Sequence, residues 1–164
     1  MNKVDHQQLQ SLYQYCFALT HNPDEAFDLL QTGLEKWLKA NKEQSTGEGY
    51  LRRIIRNQFI DDRRHQNLIA FESIDESTPA LVAVESIEQL IIDEQYIESL
   101  MAHLNAGERE VLFLSAVMEY SATEIAKELS QPRGTVLSKL FRIKKKLSSF
   151  INDTSDSPIQ EEYR

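Results

Sequence analysis

Residues 121–147 read SATEIAKELSQPRGTVLSKLFRIKKKL, and their reading decides the fold. Ser121-Ala122-Thr123-Glu124 is a complete S-x-x-E capping box: Ser121 accepts from an early backbone N–H and Glu124 reaches back to the cap. The helix it opens is short and ends near Leu129. Ser130-Gln131 then makes a turn, and Pro132 suits the first position of a last helix, where its missing N–H would be unpaired anyway. On that helix Val136, Leu140, Ile143, Leu147 and Phe150 alternate steps of four and three, an apolar stripe at helical spacing. Two helices joined by a tight turn, the second dense in cations, are the layout of a helix-turn-helix, whose second helix lies in the major groove of DNA with its N-terminal residues at the base edges. Here those residues are Arg133, Thr135, Leu137, Ser138 and Lys139. Arginine and lysine can pair with guanine O6 and N7, and serine and threonine hydroxyls serve bases or phosphates. Arg142 and the run Lys144-Lys145-Lys146 are better placed for phosphate. A solvated basic face on an ordinary helical hairpin is the plainer alternative; the capping box, the tight turn and the apolar stripe together weigh against it.

Working outward, Asn105 and Glu108 resemble a second capping box ahead of Val111, Leu112, Leu114 and Met118. Before it, Ile87, Leu90, Ile91, Ile97, Met101 and Leu104 keep helical spacing. Residues 66–83 lose periodicity and gather acids with Ser73, Ser77, Thr78 and Pro79, which predicts an acidic interdomain linker. The first half predicts three helices. Leu9, Leu12, Tyr13, Cys16, Phe17 and Leu19 form the stripe of the first, which His21-Asn22-Pro23 ends. Pro23 with Asp24 and Glu25 opens the second, whose apolar residues are Phe27, Leu30, Leu34, Trp37 and Leu38. Asp28, Gln31 and Glu35 lie on its polar face, and Trp37 belongs to the core. After a polar loop at 40–49, the third helix runs from about Tyr50 to His65 with Leu51, Ile54, Ile55 and Phe59 inward. Arg53, Asn57, Asp61 and Arg64 step by four, four and three and so share its other face.

The chain has 164 residues, 41% of them hydrophobic and 27% charged, with five glycines and four prolines, too few for the turns of a β-sandwich. One cysteine excludes an internal disulfide and multi-cysteine zinc sites, and four scattered histidines show no metal-ligand spacing. No apolar run approaches a membrane span, and no signal-peptide core is visible, which predicts a cytoplasmic, reduced, soluble protein. No cofactor, no metal and no catalytic residue are expected, since no nucleophile–base pair or phosphate loop occurs; Asp61-Asp62 are adjacent and do not face one another on a helix. The net charge of −8 is unevenly spread. Residues 52–65 hold five cations against two acids, and 133–146 hold six cations and no acid, whereas 66–110 hold ten acids and one arginine. Two basic islands in an acidic background suit a protein that touches phosphate in limited places and binds DNA weakly alone.

Three segments of the second half, Glu108-Arg109-Glu110-Val111, Ser121-x-x-Glu124-Ile125-Ala126-x-x-Leu129 and Gly134-Thr135-Val136-x-Ser138-Lys139-Leu140-x-Arg142, closely resemble the fourth region of extracytoplasmic-function (ECF) sigma factors. Pro23-Asp24-Glu25-Ala26-x-Asp28-Leu29-Leu30-Gln31 resembles the polymerase-clamp helix of that family's second region, and Tyr50-Leu51-x-x-Ile54-x-Arg56-Asn57-x-x-Ile60-Asp61-x-x-Arg64 its minus-ten helix. The resemblance covers about residues 9–65 and 98–148 in the family's order. It implies an all-α protein of two small helical domains joined by an acidic linker, the C-terminal one a helix-turn-helix. The boundaries would be 1–65 for core-polymerase and minus-ten binding, 66–97 for the linker, 98–150 for minus-thirty-five binding and 151–164 for a frayed tail. It implies core RNA polymerase and promoter DNA as partners, an anti-sigma factor as a further one, and a monomer when free. Asp28 and Gln31 would face polymerase. Tyr50, Arg53, Asn57, Asp61 and Arg64 would hold the melted strand, with Asn41, Lys42, Gln44 and Ser45 in a base-capturing loop. Arg133, Thr135, Ser138, Lys139, Arg142 and Lys145 would bind the upstream duplex. Several positions depart from the family: Phe27 for an acid, Gly33 interrupting the clamp helix, Tyr50 for a tryptophan, Ser130 for the turn glycine, Gln131 for an apolar turn residue, and Leu137 for a lysine. Two other readings compete: a sigma mimic that sequesters an anti-sigma factor, and a dimeric helix-turn-helix repressor, which leaves the matches at 22–64 unexplained.

Overall fold

Asp5 starts the first helix, α1 (His6–Thr20), with a capping box: its carboxylate accepts from Gln8 N at 2.8 Å, and the Gln8 side chain accepts from Asp5 N. The computed structural model describes residues 4–40, 47–66 and 94–155. His21, left-handed at φ 51°, ends α1. Asn22 Oδ1 then accepts from the backbone N–H groups of Asp24 and Glu25 at the start of α2 (Pro23–Ala40), and the two acids favour the positive end of its dipole. The third helix, α3 (Glu48–His65), packs against α2 and α1. Its inward residues are Leu51, Ile55 and Phe59, with Ile54 half-buried.

The buried stripe of α2 is Ala26, Leu29, Leu30, Gly33 and Trp37. Phe27 and Leu38, expected on it, point to solvent at 61% and 65% exposure. The inner face is rotated from the expected one, with Gly33 letting α2 approach α3 closely. A Cβ added at Gly33 would lie 2.5 Å from Ile55 Cγ1, so the glycine is the contact point of α2 and α3 rather than a flaw in α2.

In the second half, α4 (Glu94–Ala102) precedes α5 (Ala106–Ala116), which begins with the Asn105–Glu108 capping box. Helix α4 starts inside the stretch that the sequence assigns to the linker. Ser121 and Glu124 close the box that opens α6 (Ala122–Glu128), with Glu124 accepting from Ser121 N at 2.7 Å. Those hydrogen bonds hold the Glu124 carboxyl below the usual carboxylate range. Ser130 sits at φ 52°, the left-handed conformation of a turn glycine adopted by a serine. The last helix, α7 (Arg133–Ser155), starts one residue after Pro132 and runs into the expected tail, since extending a formed helix is far cheaper than nucleating one. No strand occurs among the described residues, and no helix there is long and apolar enough to cross a membrane. The acidic stretch at 67–93 and the loop residues Asn41, Lys42, Gln44 and Ser45 lie outside the described residues.

The two halves pack on one another, chiefly through α1 against α5. One apolar core runs through both: Leu12, Cys16, Leu19, Leu30, Ile55 and Phe59 from the first half join Val111, Leu114, Ile125, Leu129, Val136 and Ile143 from the second. Three consecutive residues at the start of α5 tie the molecule together. Glu108 caps α5 and accepts from Lys146 on α7 at 2.8 Å. Arg109 donates to the Ala18 and Leu19 carbonyls at 2.7 and 3.1 Å, and to that of Leu104, satisfying oxygens that the end of α1 leaves unpaired. Glu110, 1% exposed, accepts from the Tyr15 hydroxyl at 2.5 Å and pairs with Arg56 at 3.0 Å.

Candidate nucleic-acid interface

Helix α7 presents its functional side chains because Val136, Leu140, Ile143 and Leu147 turn inward, leaving the opposite face to solvent. Ser138, Arg142 and Lys145 stand on that outer face at i, i+4 and i+7. Arg133 and Lys145 are exposed, and Thr135, Ser138, Lys139 and Arg142 are half-buried. The Ser138 hydroxyl donates to the Gly134 carbonyl at 2.9 Å, which fixes its direction. Lys139 Nζ donates to Gln131 Oε1 at 3.1 Å, so the residue standing where the family carries an apolar turn residue orients a cation. Burial pushes the Lys139 ammonium pKa down, and the charges of Arg56 and Arg142 push the same way against Glu110 and Glu108. Arg142 Nε is buried without a hydrogen-bond partner among the described residues.

Two corrections follow for this helix. Lys146, grouped by sequence with the phosphate-facing lysines, is held by Glu108. Phe141, which the sequence reading passed over, is 40% exposed on the same face as Ser138 and Lys145. Its spacing, three residues after one and four before the other, is the signal that would have found it. Leu137, the expected apolar contact, is half-buried at the flank.

The structure brings the α3 residues together as the periodicity predicts. Arg53, Asn57, Asp61 and Arg64 are all exposed on one side, with Asp61 and Arg64 at 3.9 Å, and Tyr50, 37% exposed, opens the helix. An exposed aromatic beside two cations and an amide offers a stacking surface, phosphate partners and base-edge hydrogen bonds in one strip. On α2, Asp28 and Gln31 are exposed, and Gln31 donates to Glu35 at 3.3 Å. Phe27 and Leu38 lie three turns apart on the same exposed side.

Sequence reasoning also missed Arg52, 3% exposed. It donates to Glu48 at 2.9 Å, to Glu128 at 2.8 Å and to the Tyr120 hydroxyl at 2.8 Å, and it lies over the Tyr120 ring. Its position next to Leu51 and three before Ile55, an inward register, was the available signal. Because three oxygens satisfy the fork, the charge is tolerated where an unpaired arginine would not be.

Comparison with known proteins agrees with both halves. Residues 6–69 match the Sigma-70 region 2 model and residues 94–147 the Sigma-70 region 4 model. The ECF RNA polymerase sigma factor SigL of Mycobacterium tuberculosis is 30% identical over 137 residues, covering 79% of this chain and 76% of SigL. SigE of Mycolicibacterium smegmatis is 27% identical over 160 residues, covering 94% of this chain; the chain spans 62% of that relative's length. A solved structure of the sigma factor RpoE in complex with the anti-sigma factor NepR, from Bartonella quintana, superposes with a TM-score of 0.64 at 25% identity, covering 89% of this chain and 92% of the other.

Proposed function

The chain belongs to the ECF family of RNA polymerase sigma factors, and on that basis we propose that it is a transcription initiation factor. It binds core RNA polymerase, directs it to specific promoters and stabilises the melted minus-ten region. The observation that carries this reading is the pair of matched regions in family order, each with its functional strip exposed: Arg53, Asn57, Asp61 and Arg64 on α3, and Arg133, Ser138 and Lys145 on α7. The protein makes and breaks no covalent bond in this role and needs no cofactor.

The mechanism follows from the strips. Helix α7 enters the major groove, where Arg133, Thr135, Ser138 and Lys139 meet base edges and Arg142 and Lys145 meet phosphate. Phe141 adds an apolar contact suited to a thymine methyl group. On α3, Tyr50 stacks an unpaired base, Asn57 and Asp61 hydrogen-bond exposed base edges, and Arg53 and Arg64 hold the single-strand backbone. Helix α2 docks on polymerase through Asp28 and Gln31, flanked by the exposed Phe27 and Leu38. An anti-sigma factor is the expected antagonist, by analogy with the partner of the Bartonella protein.

Association with polymerase tests the first step. Purified core enzyme should retain the chain through size-exclusion chromatography, and Asp28→Ala with Gln31→Ala should reduce retention without loss of helicity by circular dichroism. A chain that never co-elutes with core enzyme contradicts the proposal.

A further inference from the structure

The turn between α6 and α7 closes as a Schellman motif. The Ser130 N–H donates to the Lys127 carbonyl at 3.3 Å and the Gln131 N–H to the Ala126 carbonyl at 2.9 Å, with Ser130 left-handed at φ 52°. The residue at the Gln131 position of such a motif commonly makes an apolar contact back onto the helix it follows, and Ile125 and Ala126 are buried there. Gln131 offers a polar side chain instead, and its Oε1 accepts from Lys139 Nζ on α7 at 3.1 Å.

Lys139 lies eight positions on, about 12 Å of helix rise at about 1.5 Å per residue, so the contact needs both side chains extended towards each other. The lysine stem therefore runs back towards the N-terminal end of α7, the end of a recognition helix that meets base edges. A lysine stem has many rotamers, and a complex that uses one of them must freeze out the others; a stem already held loses less on binding. The carboxylates nearby are engaged elsewhere, Glu110 by Tyr15 and Arg56 and Glu108 by Lys146. An amide holds the ammonium without cancelling its charge. Since an ammonium carries three donors, two stay available for a base. Both residues belong to the helix-turn-helix, so the contact is local to the unit that reads DNA.

We propose that Gln131 is a positioning residue for promoter recognition: it holds Lys139 in the arrangement in which the ammonium reads a guanine of the upstream element. This rests on the sigma-factor reading and on Lys139 as a base reader. Guanine presents two acceptors, N7 and O6, to the major groove, whereas adenine replaces O6 with an amino donor that an ammonium cannot accept. Gln131 touches no base in this role; it sharpens the preference that Lys139 carries.

Gln131→Leu removes the acceptor while supplying the apolar contact usual in the motif. Its thermal unfolding midpoint should equal or exceed that of the wild-type chain, so that a loss of selectivity is not a loss of fold. Holoenzyme assembled with core polymerase first selects its upstream element from a promoter library randomised over that element, and binding is then measured with each base pair varied in turn. Wild-type holoenzyme should prefer guanine over adenine at one position by about tenfold or more. Gln131→Leu should cut that preference about fivefold and leave the other positions within about twofold. Lys139→Met should abolish it, and adding Gln131→Leu to Lys139→Met should change nothing further, because the two substitutions then remove one shared effect. The positioning role is overturned, with the sigma-factor reading left standing, by any of three results: no guanine preference sensitive to Lys139→Met, a preference preserved in Gln131→Leu, or a further loss in the double variant. A wild-type holoenzyme that selects no upstream element overturns the sigma-factor reading and the positioning role together.

Discussion

Replacing Gly33 with alanine sets two expectations against each other. Helix propensity alone predicts a gain of about 1 kcal/mol in the interior of α2. The new Cβ would stand 2.5 Å from Ile55 Cγ1, which predicts instead a net loss of about 1–2 kcal/mol through overpacking. Urea unfolding of Gly33→Ala decides the sign. The glycine was legible in the sequence only as a departure, because its reason lies on another helix. The register of Arg52 hinted at burial, but the distant partners that make a buried charge tolerable were illegible for it and for Glu110: those sit 76 and 54 positions away in Glu128 and Arg56. Burial also sets a pH dependence. Desolvation, with Glu110 beside it, pushes the Tyr15 phenol well above its usual value, and desolvation pushes the Cys16 thiol to about 12. Both groups are neutral when protonated and hold their protons more tightly when folded. Their contribution is therefore intact below the unfolded values, about 9 for the thiol and 10 for the phenol, and is lost as pH rises above them. Stability should fall between about pH 9 and 11 with a slope approaching 1.4 kcal/mol per pH unit for each group. Cys16→Ala should flatten the first part of the slope and Tyr15→Phe the second, as measured by urea unfolding across that range.

At the scale of the helix, local signals were read correctly where they are self-contained. The Asn105–Glu108 and Ser121–Glu124 boxes, the turn before α7 and the single polar face of α3 all depend on residues a few positions apart, and all stand where the spacing puts them. The inner face of α2 was misread at Phe27 and Leu38 because hydrophobicity says which residues can be buried, while Gly33 decides which side can approach α3 closely. Phe27 and Leu38 were thereby left on the outside. On α7 the sorting of residues into base readers and phosphate binders yields separable outcomes. Arg133→Ala should weaken promoter binding by about 1–3 kcal/mol and relax preference at one base pair, whereas Lys145→Ala should weaken all sequences alike and lower the salt slope by about one. Selection of binding sites by holoenzyme at two salt concentrations distinguishes the two. Indistinguishable profiles from the two variants would contradict the sorting.

For the whole molecule, two halves with separate proposed roles share one core and a polar seam, a relation that no motif within either half encodes. The charge pattern fits the proposed dependence of this chain on polymerase. With a net charge of −8 and cations confined to two islands, repulsion opposes DNA association until a cationic partner is added. Free protein should therefore bind duplex DNA weakly at physiological salt, and a tight polymerase-independent promoter complex in a gel-shift assay would contradict this. The central claim is that the chain converts core polymerase into a promoter-specific enzyme. Multi-round transcription of a genomic-fragment library, with core polymerase in the presence and absence of the protein, tests it most directly. New discrete start sites should appear only with the protein, sharing two sequence elements upstream at a constant separation. A start-site pattern unchanged by the protein, with the protein bound to polymerase, would contradict the account.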